Sequence, residues 1–231
     1  MTLSNNENLP AQIYNDLKHK IQEFEYKPGE RLSEPSLAKH YGISRTPIKQ
    51  AITILEVNGI VSVTPNVGTF INKIDTAHLS EFFTMRKLLE IGILDEFKSN
   101  YTEEDITALQ TNLLKQDDLV ANYTEENRIQ SSKMFWYLDN EFHRIIFKAV
   151  NKEYLWEHII NHSLQANRFR VLSVSIHQDD LLVKVKEHHT LYKYLTTDLE
   201  LDVNAHYDKH LFKTLETNIK ELQEEFPEYF E

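Results

Sequence analysis

Apolar residues recur at helical spacing through the first 60 positions and predict three helices. The first begins at Pro10 and buries a face formed by Ile13, Leu17, Ile21 and Phe24. Lys27-Pro28-Gly29 ends this helix, and Ser33 is placed to cap a short second helix that runs to about Tyr41. Ser44 is placed to cap the third helix, whose inner face consists of Ile48, Ile52 and Leu55.

The second and third helices have the spacing of a helix-turn-helix motif. Ala38 is small enough to let the helices approach, and Gly42 permits the tight turn between them. Two alternating stretches follow, Ile60–Thr64 and Thr69–Lys73, and they flank Pro65-Asn66-Val67-Gly68, which predicts a β-hairpin. A helix-turn-helix followed by such a wing is a shape that reads DNA.

The start of the third predicted helix carries side chains that suit DNA. The candidate contacts are Ser44, Arg45, Thr46 and Lys49. Arginine and lysine can reach guanine edges or phosphates, and the free amides at a helix N-terminus attract phosphate. The alternative is a winged fold that serves only protein contacts and leaves Arg45 in solvent.

The rest of the chain lacks residues that break helices. Positions 93–226 contain no Gly and no Pro and are rich in Leu, Lys and Glu, which predicts an all-α region of roughly seven helices. We therefore expect a mainly α protein with two domains. A winged helix-turn-helix domain occupies residues 1–74, an all-helical bundle occupies residues 75–231, and the join lies near Lys73–His78.

The charged residues are also distributed unevenly between the two predicted domains. The net charge is −11, but residues 1–74 carry 8 Lys and Arg against 7 Asp and Glu, and the remainder carries 17 against 29. The acidic excess therefore does not exclude DNA binding by the first domain. The absence of Cys excludes disulfides, thiolate metal sites and cysteine nucleophiles. No apolar run approaches the roughly 18–20 residues of a membrane span, and the first thirty residues lack a signal core, so we expect a cytoplasmic protein.

Polar residues interrupt the apolar faces of three helices in the second domain. Asp139 and His143 are spaced i and i+4, so their side chains project together from an apolar stripe. His188 lies on the inner face of a later helix. His206 and His210 are again spaced i and i+4 in the last helix.

Two interpretations of these residues are open. One Asp and three or four His from three helices can form a site for a first-row metal. Alternatively, each imidazole is a core residue with satisfied hydrogen bonds. His189 follows His188 but is turned by about 100°, so it is expected to face outward.

A series of short motifs runs through the first domain. It comprises Pro28-Gly29-Glu30-Arg31-Leu32, Leu37-Ala38, Gly42 through Ala51, Leu55, Gly59-Ile60-Val61, Pro65 and Gly68-Thr69-Phe70. This series resembles the GntR family of bacterial transcription regulators. The resemblance implies that Arg45 and Lys49 read DNA and that the wing tip, with Asn66 and Gly68, enters the minor groove. The chain departs from the family at Lys49-Gln50, where Arg-Glu is usual, and at Pro35, where a basic residue is often found.

A second series spans most of the helical domain. It comprises Arg86-Lys87-Leu88-Leu89-Glu90, Asp139 through His143, Asn151, Glu187-His188 with Leu191, and Asp202 with Ala205 and His210-Leu211. This series resembles the FCD ligand-sensing domain of FadR-type GntR regulators. The resemblance implies a divalent cation on Asp139, His143, His188 and His210, with open positions for a carboxylate effector.

Three further residues are candidates for the effector site. His206 is a histidine beyond the four implied ligands. Three roles are open for it: contact with the effector, competition as a metal ligand, or packing. Arg86 and Arg168 can pair with a carboxylate, although Arg168 is as easily explained as a surface residue.

These observations predict a ligand-responsive transcription regulator, and we expect a repressor of a catabolic operon with no catalytic residue. Its expected partners are palindromic double-stranded DNA, a second copy of the chain, and a small organic acid or sugar acid. Zinc is the expected metal, with nickel or manganese as alternatives. The rival function is a metal-dependent hydrolase of the all-helical His-Asp type, although the chain has no His-Asp dipeptide and no His-Glu-x-x-His motif. A third possibility is a winged domain joined to a metal-free interaction domain.

Overall fold

The N-terminal part of the chain folds as a winged helix-turn-helix. The computed structural model describes residues 8–176 and 181–231. Its first elements are α1 (Leu9–Gln22), β1 (Arg31–Leu32), α2 (Glu34–Tyr41), α3 (Arg45–Val57), β2 (Val61–Thr64) and β3 (Gly68–Ile71). The three predicted helices and the hairpin are therefore confirmed, except that Phe24 lies beyond the end of α1 at a φ of 58° and is only half-buried. One core lies between them and includes Ile13, Leu17, Ile21, Leu37, Ile48, Ile52 and Leu55.

Local chemistry explains the geometry of the helix-turn-helix. The hydroxyl of Ser33 accepts a hydrogen bond from the amide of Ser36 and so caps α2. Gly42 adopts a φ of 67° at the turn, a conformation that favours glycine. Ser44 occupies the N-cap position of α3, but its side chain makes no capping hydrogen bond, so only the position of the predicted cap is correct.

The wing contains one strand more than the sequence pattern predicts. The strand order is β1-β3-β2, and both pairs are antiparallel. Arg31 lies opposite Phe70 in the added pair. A two-residue strand is too short to show the alternation by which strands are recognised.

The remainder of the described chain is helical, as predicted. Its elements are α4 (Thr76–Gly92), α5 (Leu94–Asn100), α6 (Glu103–Ala121), α7 (Arg128–Ala149), α8 (Glu153–Asn161), α9 (Leu164–Ile176), α10 (Leu181–Thr196), α11 (Val203–Tyr207), a π-helical turn (Asp208–Phe212), α12 (Lys213–Glu225) and a 3-10 turn (Pro227–Tyr229). Helix α6 packs against α7 and α10. None of the helices described is long and apolar enough to cross a membrane.

Contacts divide the described chain into two compact units. The first holds the residues up to Leu79 together with Leu164–Val171 and Gln223–Glu231. The second holds Ser80–Ser163 and Leu172–Leu222. Two late segments therefore belong with the winged helix-turn-helix in the first unit.

Candidate metal centre

Three elements of the second unit bring together four side chains of types that can ligate a metal. Asp139 and His143 lie one turn apart on α7, His188 lies on α10, and His210 lies on the π-helical turn. All four are between 1% and 5% exposed. One ligand atom from each residue lies within 4.8 Å of the others. Helical spacing on α7 accounts for the first pair, whereas the packing of α10 and the π-helical turn brings in the other two.

The imidazole Nε2 atoms converge on Asp139. Its Oδ1 lies 3.3 Å from Nε2 of His188, 3.7 Å from Nε2 of His210 and 3.9 Å from Nε2 of His143. Nε2 of His143 lies 3.3 Å from Nε2 of His210. In a tetrahedral site with metal–nitrogen distances of about 2.0–2.1 Å, the ligand atoms are about 3.3 Å apart. The spacing therefore matches a single small divalent cation.

Each imidazole has an oxygen acceptor close to its other nitrogen. Nδ1 of His143 lies 2.7 Å from a carboxylate oxygen of Glu90, and Nδ1 of His210 lies 3.0 Å from one of Glu187. Nδ1 of His188 lies 2.7 Å from the amide oxygen of Gln116. Such acceptors fix the Nδ1–H tautomer and direct the Nε2 lone pair toward a metal.

A buried ion pair supports the first of these acceptors. Nε of Arg86 donates to Glu90 at 2.5 Å, and a terminal nitrogen of Arg86 lies 3.9 Å from Asp139. Burial alone would raise the pKa of Glu90, but the charge of Arg86 and the contact with His143 outweigh it and hold that pKa at about 2. Glu90 is therefore a carboxylate at neutral pH. The guanidinium of Arg86 also lies over the ring of Trp156.

Burial favours the neutral form of two imidazoles in the cluster, His188 and His210. It lowers the pKa of His188 to about 4, and burial followed by the charge of Lys184 lowers the pKa of His210 well below its usual value. Neutral imidazole is the form that binds a metal.

The chemistry of this donor set fits a metal ion. With Nδ1 protonated on both His143 and His210, their Nε2 atoms face each other as lone pairs at 3.3 Å. That contact is repulsive unless a cation lies between them. Nε2 of His188 is also buried and has no hydrogen-bond partner among the described residues. Three imidazoles and one carboxylate suit zinc, nickel or manganese.

Two family models match the chain. The model described as "Bacterial regulatory proteins, gntR family" matches residues 9–71, and the model described as "FCD domain" matches residues 81–211. The second match covers more than half of the chain, and its bounds include all four residues of the cluster. The chain belongs to the GntR family and carries an FCD domain.

Curated relatives and a solved structure agree with this assignment. The chain is 30% identical over 144 residues to the uncharacterized HTH-type transcriptional regulator YdhC of Bacillus subtilis, a match that covers 62% of each chain and so spans less than two thirds of that relative. It is 24% identical to the HTH-type transcriptional repressor RspR of Escherichia coli over 95% of this chain and 92% of that one. The structure of E. coli McbR/YncC has the same fold, with a TM-score of 0.62 and 23% identity over 94% of this chain and 98% of that one.

The structure separates the three candidate effector residues of this GntR-family chain. Arg86 lies beside the cluster and is buried. His206 is half-buried, and its ring is parallel to that of His210 with centroids 6.3 Å apart. Arg168 lies in the first unit, where its guanidinium donates to the carbonyls of Asn72 and Lys73. It is 1% exposed, so the interpretation of Arg168 as a surface residue is wrong.

The predicted DNA-binding residues lie on exposed parts of the winged helix-turn-helix. Ser44, Arg45, Thr46 and Lys49 are exposed at the N-terminal end of α3. Asn66 is exposed in the β2–β3 turn, where its φ is 61°. Gly68 has a φ of 150°, and a Cβ there would lie 2.6 Å from Nε of Arg31.

Sequence reasoning missed the acceptors that hold the imidazoles. Glu90 stands four positions after Arg86, a spacing that predicts an ion pair on α4. Gln116 and Asn112 are buried amides on α6, spaced i and i+4 beside Leu109 and Leu113. A pair of amides on an apolar helix face is thus a pattern that could have been recognised in the sequence. The pairing of Gln116 with His188 depends on how α6 packs against α10, which local sequence does not encode.

Proposed function

We propose that this chain is a DNA-binding transcription regulator whose FCD domain holds a divalent metal and senses a small anionic effector. The observation that carries the proposal is the convergence of three Nε2 atoms on Asp139, with each Nδ1 held by an acceptor. The metal ligands would be Asp139, His143, His188 and His210, with zinc as the ion. The relatives are named as transcription regulators, which favours regulation over the hydrolase alternative.

Charge around the proposed ligands favours an anionic effector. Three acidic and three basic side chains lie at the cluster: Asp139, Glu90, Glu187, Arg86, Lys184 and Lys209. Their charges cancel, so a divalent cation leaves the site with two net positive charges. A small organic acid or sugar acid would balance that charge.

Two residues would meet such an effector. A terminal nitrogen of Arg86 is buried without a hydrogen-bond partner among the described residues, so it can donate to a carboxylate. His206 lies at the more accessible edge of the cluster. The hydrogen bonds of Arg168 to the backbone give no support to an effector role for that residue.

The proposed DNA surface consists of the start of α3 and the tip of the wing. Arg45 and Lys49 would contact bases or phosphates in the major groove, with Ser44 and Thr46 beside them. Asn66 and Gly68 would approach the minor groove. One recognition helix covers only a few base pairs, so we propose that a homodimer binds a palindrome. The regulator would act as a repressor, as the name of RspR says of that relative, and would work in the cytoplasm.

Footprinting with the full chain tests this function. The probe is the DNA upstream of the chain's own gene, and the protein is used zinc-loaded or after treatment with a chelator. We expect a protected palindrome whose occupancy changes when small carboxylates are added to the zinc-loaded protein. His188→Ala should still bind DNA but lose the response to carboxylates. Protection of no DNA, together with phosphatase or esterase activity, would favour the hydrolase.

A further inference from the structure

A chain of buried amides links the cluster to the backbone of α7. The amide oxygen of Gln116 faces Nδ1 of His188 at 2.7 Å, and its Nε2 donates to Oδ1 of Asn112 at 2.6 Å. Nδ2 of Asn112 then donates to the carbonyl of Leu138 at 3.1 Å. Leu138 directly precedes Asp139, so this series of hydrogen bonds starts at one proposed ligand, His188, and ends beside another, Asp139.

The carbonyl of Leu138 fixes the direction of every hydrogen bond in this series of amides. The carbonyl of Leu138 can only accept, so Asn112 must present its NH2 group there and its oxygen to Gln116. Gln116 must then present its own NH2 group to Asn112 and its oxygen to His188. Nδ1 of His188 must therefore carry the proton, which leaves a lone pair on Nε2, the atom that faces Asp139.

His188 needs this arrangement more than the other two imidazoles do. His143 and His210 face carboxylates, which only accept, so their tautomers are set directly. An isolated glutamine can turn over and present either its oxygen or its NH2 group. The rings that stack on His188, Phe135 and Phe142, offer no competing hydrogen bond that would set the tautomer.

We propose that Asn112 and Gln116 are positioning residues that select the metal-binding tautomer of His188. The proposal rests on the proposed metal binding. Loss of an acceptor behind a metal-binding imidazole lowers metal affinity by about 10- to 100-fold, and we expect that loss for Gln116→Leu. Asn112→Leu should produce a smaller loss, because it leaves Gln116 free to turn over.

Zinc affinity of the full-length polypeptide, measured by competition with a chromophoric chelator, tests the direction of the hydrogen bonds between His188 and Leu138. Gln116→Glu should bind zinc far more tightly than Gln116→Leu, because a carboxylate still accepts from Nδ1. Asn112→Leu should weaken binding when residue 116 is Gln but not when it is Glu, since a carboxylate has no donor end to turn. Gln110→Leu is the matched control, because Gln110 is on the same helix and bonds to the Tyr192 hydroxyl instead. If Asn112→Leu lowers zinc affinity equally with Gln and with Glu at position 116, the proposal is overturned.

Nitrogen-15 NMR of the metal-free chain gives a readout that does not depend on zinc. We expect His188 to be protonated at Nδ1 in the wild type and to become a mixture of tautomers in Asn112→Leu. A wild-type His188 protonated at Nε2 would refute the positioning role even if zinc binds. If the tautomer is as expected but the wild type binds no zinc, the proposed metal function fails, and the positioning role fails with it.

Discussion

Removing the ring of His188 should remove most of the stabilisation that zinc gives to the protein. A ligand that binds only the folded state at 100 times its Kd stabilises that state by about 2.7 kcal/mol. For a chain of 231 residues, each kcal/mol corresponds to about 2–4 °C in Tm. Zinc at that concentration should therefore raise the Tm of the wild type by about 5–11 °C.

His188→Ala removes one of four proposed ligands, and its effect should be at least that of losing a supporting hydrogen bond. If zinc affinity falls 100-fold, the same zinc concentration only equals Kd and stabilises by about 0.4 kcal/mol, or about 1–2 °C. The variant also loses its packing against Phe135 and Phe142, which lowers Tm with or without zinc. The zinc-induced difference in Tm is therefore the quantity to measure, by scanning calorimetry with and without the metal.

His189→Ala is the matched control. Nε2 of His189 lies 2.9 Å from Asp117, and both side chains are more than a third exposed. Exposed ion pairs contribute about 0–1 kcal/mol, so the variant should keep both its stability and its full zinc-induced shift. A full shift in His188→Ala, or a lost shift in His189→Ala, would refute the assignment of His188 as a ligand. No shift in the wild type with zinc, nickel or manganese would leave the cluster as a histidine core.

Four other variants test separate parts of the structure. Arg45→Ala should lower operator affinity by about 30-fold or more while the circular dichroism spectrum stays unchanged, because each half-site loses about 1–3 kcal/mol; Lys49→Ala should lower affinity less and flatten the salt dependence if it meets phosphate. Glu90→Gln should lower the free energy of unfolding in urea by about 3–5 kcal/mol, because it removes the carboxylate nearest the buried guanidinium of Arg86 and leaves only Asp139, 3.9 Å away; a loss below 1 kcal/mol would contradict this. Arg168→Met should destabilise the chain by roughly 2–4 kcal/mol through its lost bonds to backbone carbonyls but leave zinc affinity unchanged, and a change in carboxylate response alone would instead support an effector role.

Local sequence is sufficient to predict most of the first unit. Ser33 and Gly42 act on residues within a few positions, so their effect on α2 and its turn can be predicted without the fold. Strand β1 could not be predicted in this way, because Arg31 meets Phe70 only after the chain has turned back. The addition of Leu164–Val171 and Gln223–Glu231 to the first unit has the same origin, since it depends on contacts between distant positions.

The candidate site likewise has one part that local sequence predicts and another part that depends on packing between elements. Asp139 and His143 could be placed together because one helix sets their spacing. His188 and His210 could be found on the apolar faces of their own helices, and the family resemblance then grouped them with the first pair. The acceptors behind the imidazoles come from other elements, α4 and α6 among them, and their pairing is a property of packing. A search for buried amides or ion pairs on apolar helix faces would have singled out Gln116 but not its partner.

His206 and His210 are spaced i and i+4 across the junction of α11 with the π-helical turn, and their rings are parallel with centroids 6.3 Å apart. A π turn adds a residue to the helical turn and interrupts the α-helical hydrogen-bond pattern there. Lys184 donates to the carbonyl of His210 within this turn, which satisfies a backbone acceptor where the regular α-helical pattern is interrupted. His210 is buried among the proposed ligands, whereas His206 is half-buried at their edge. Burial among the other three side chains therefore favours His210 over His206 as the fourth proposed ligand, and the greater exposure of His206 suits the proposed contact with an effector.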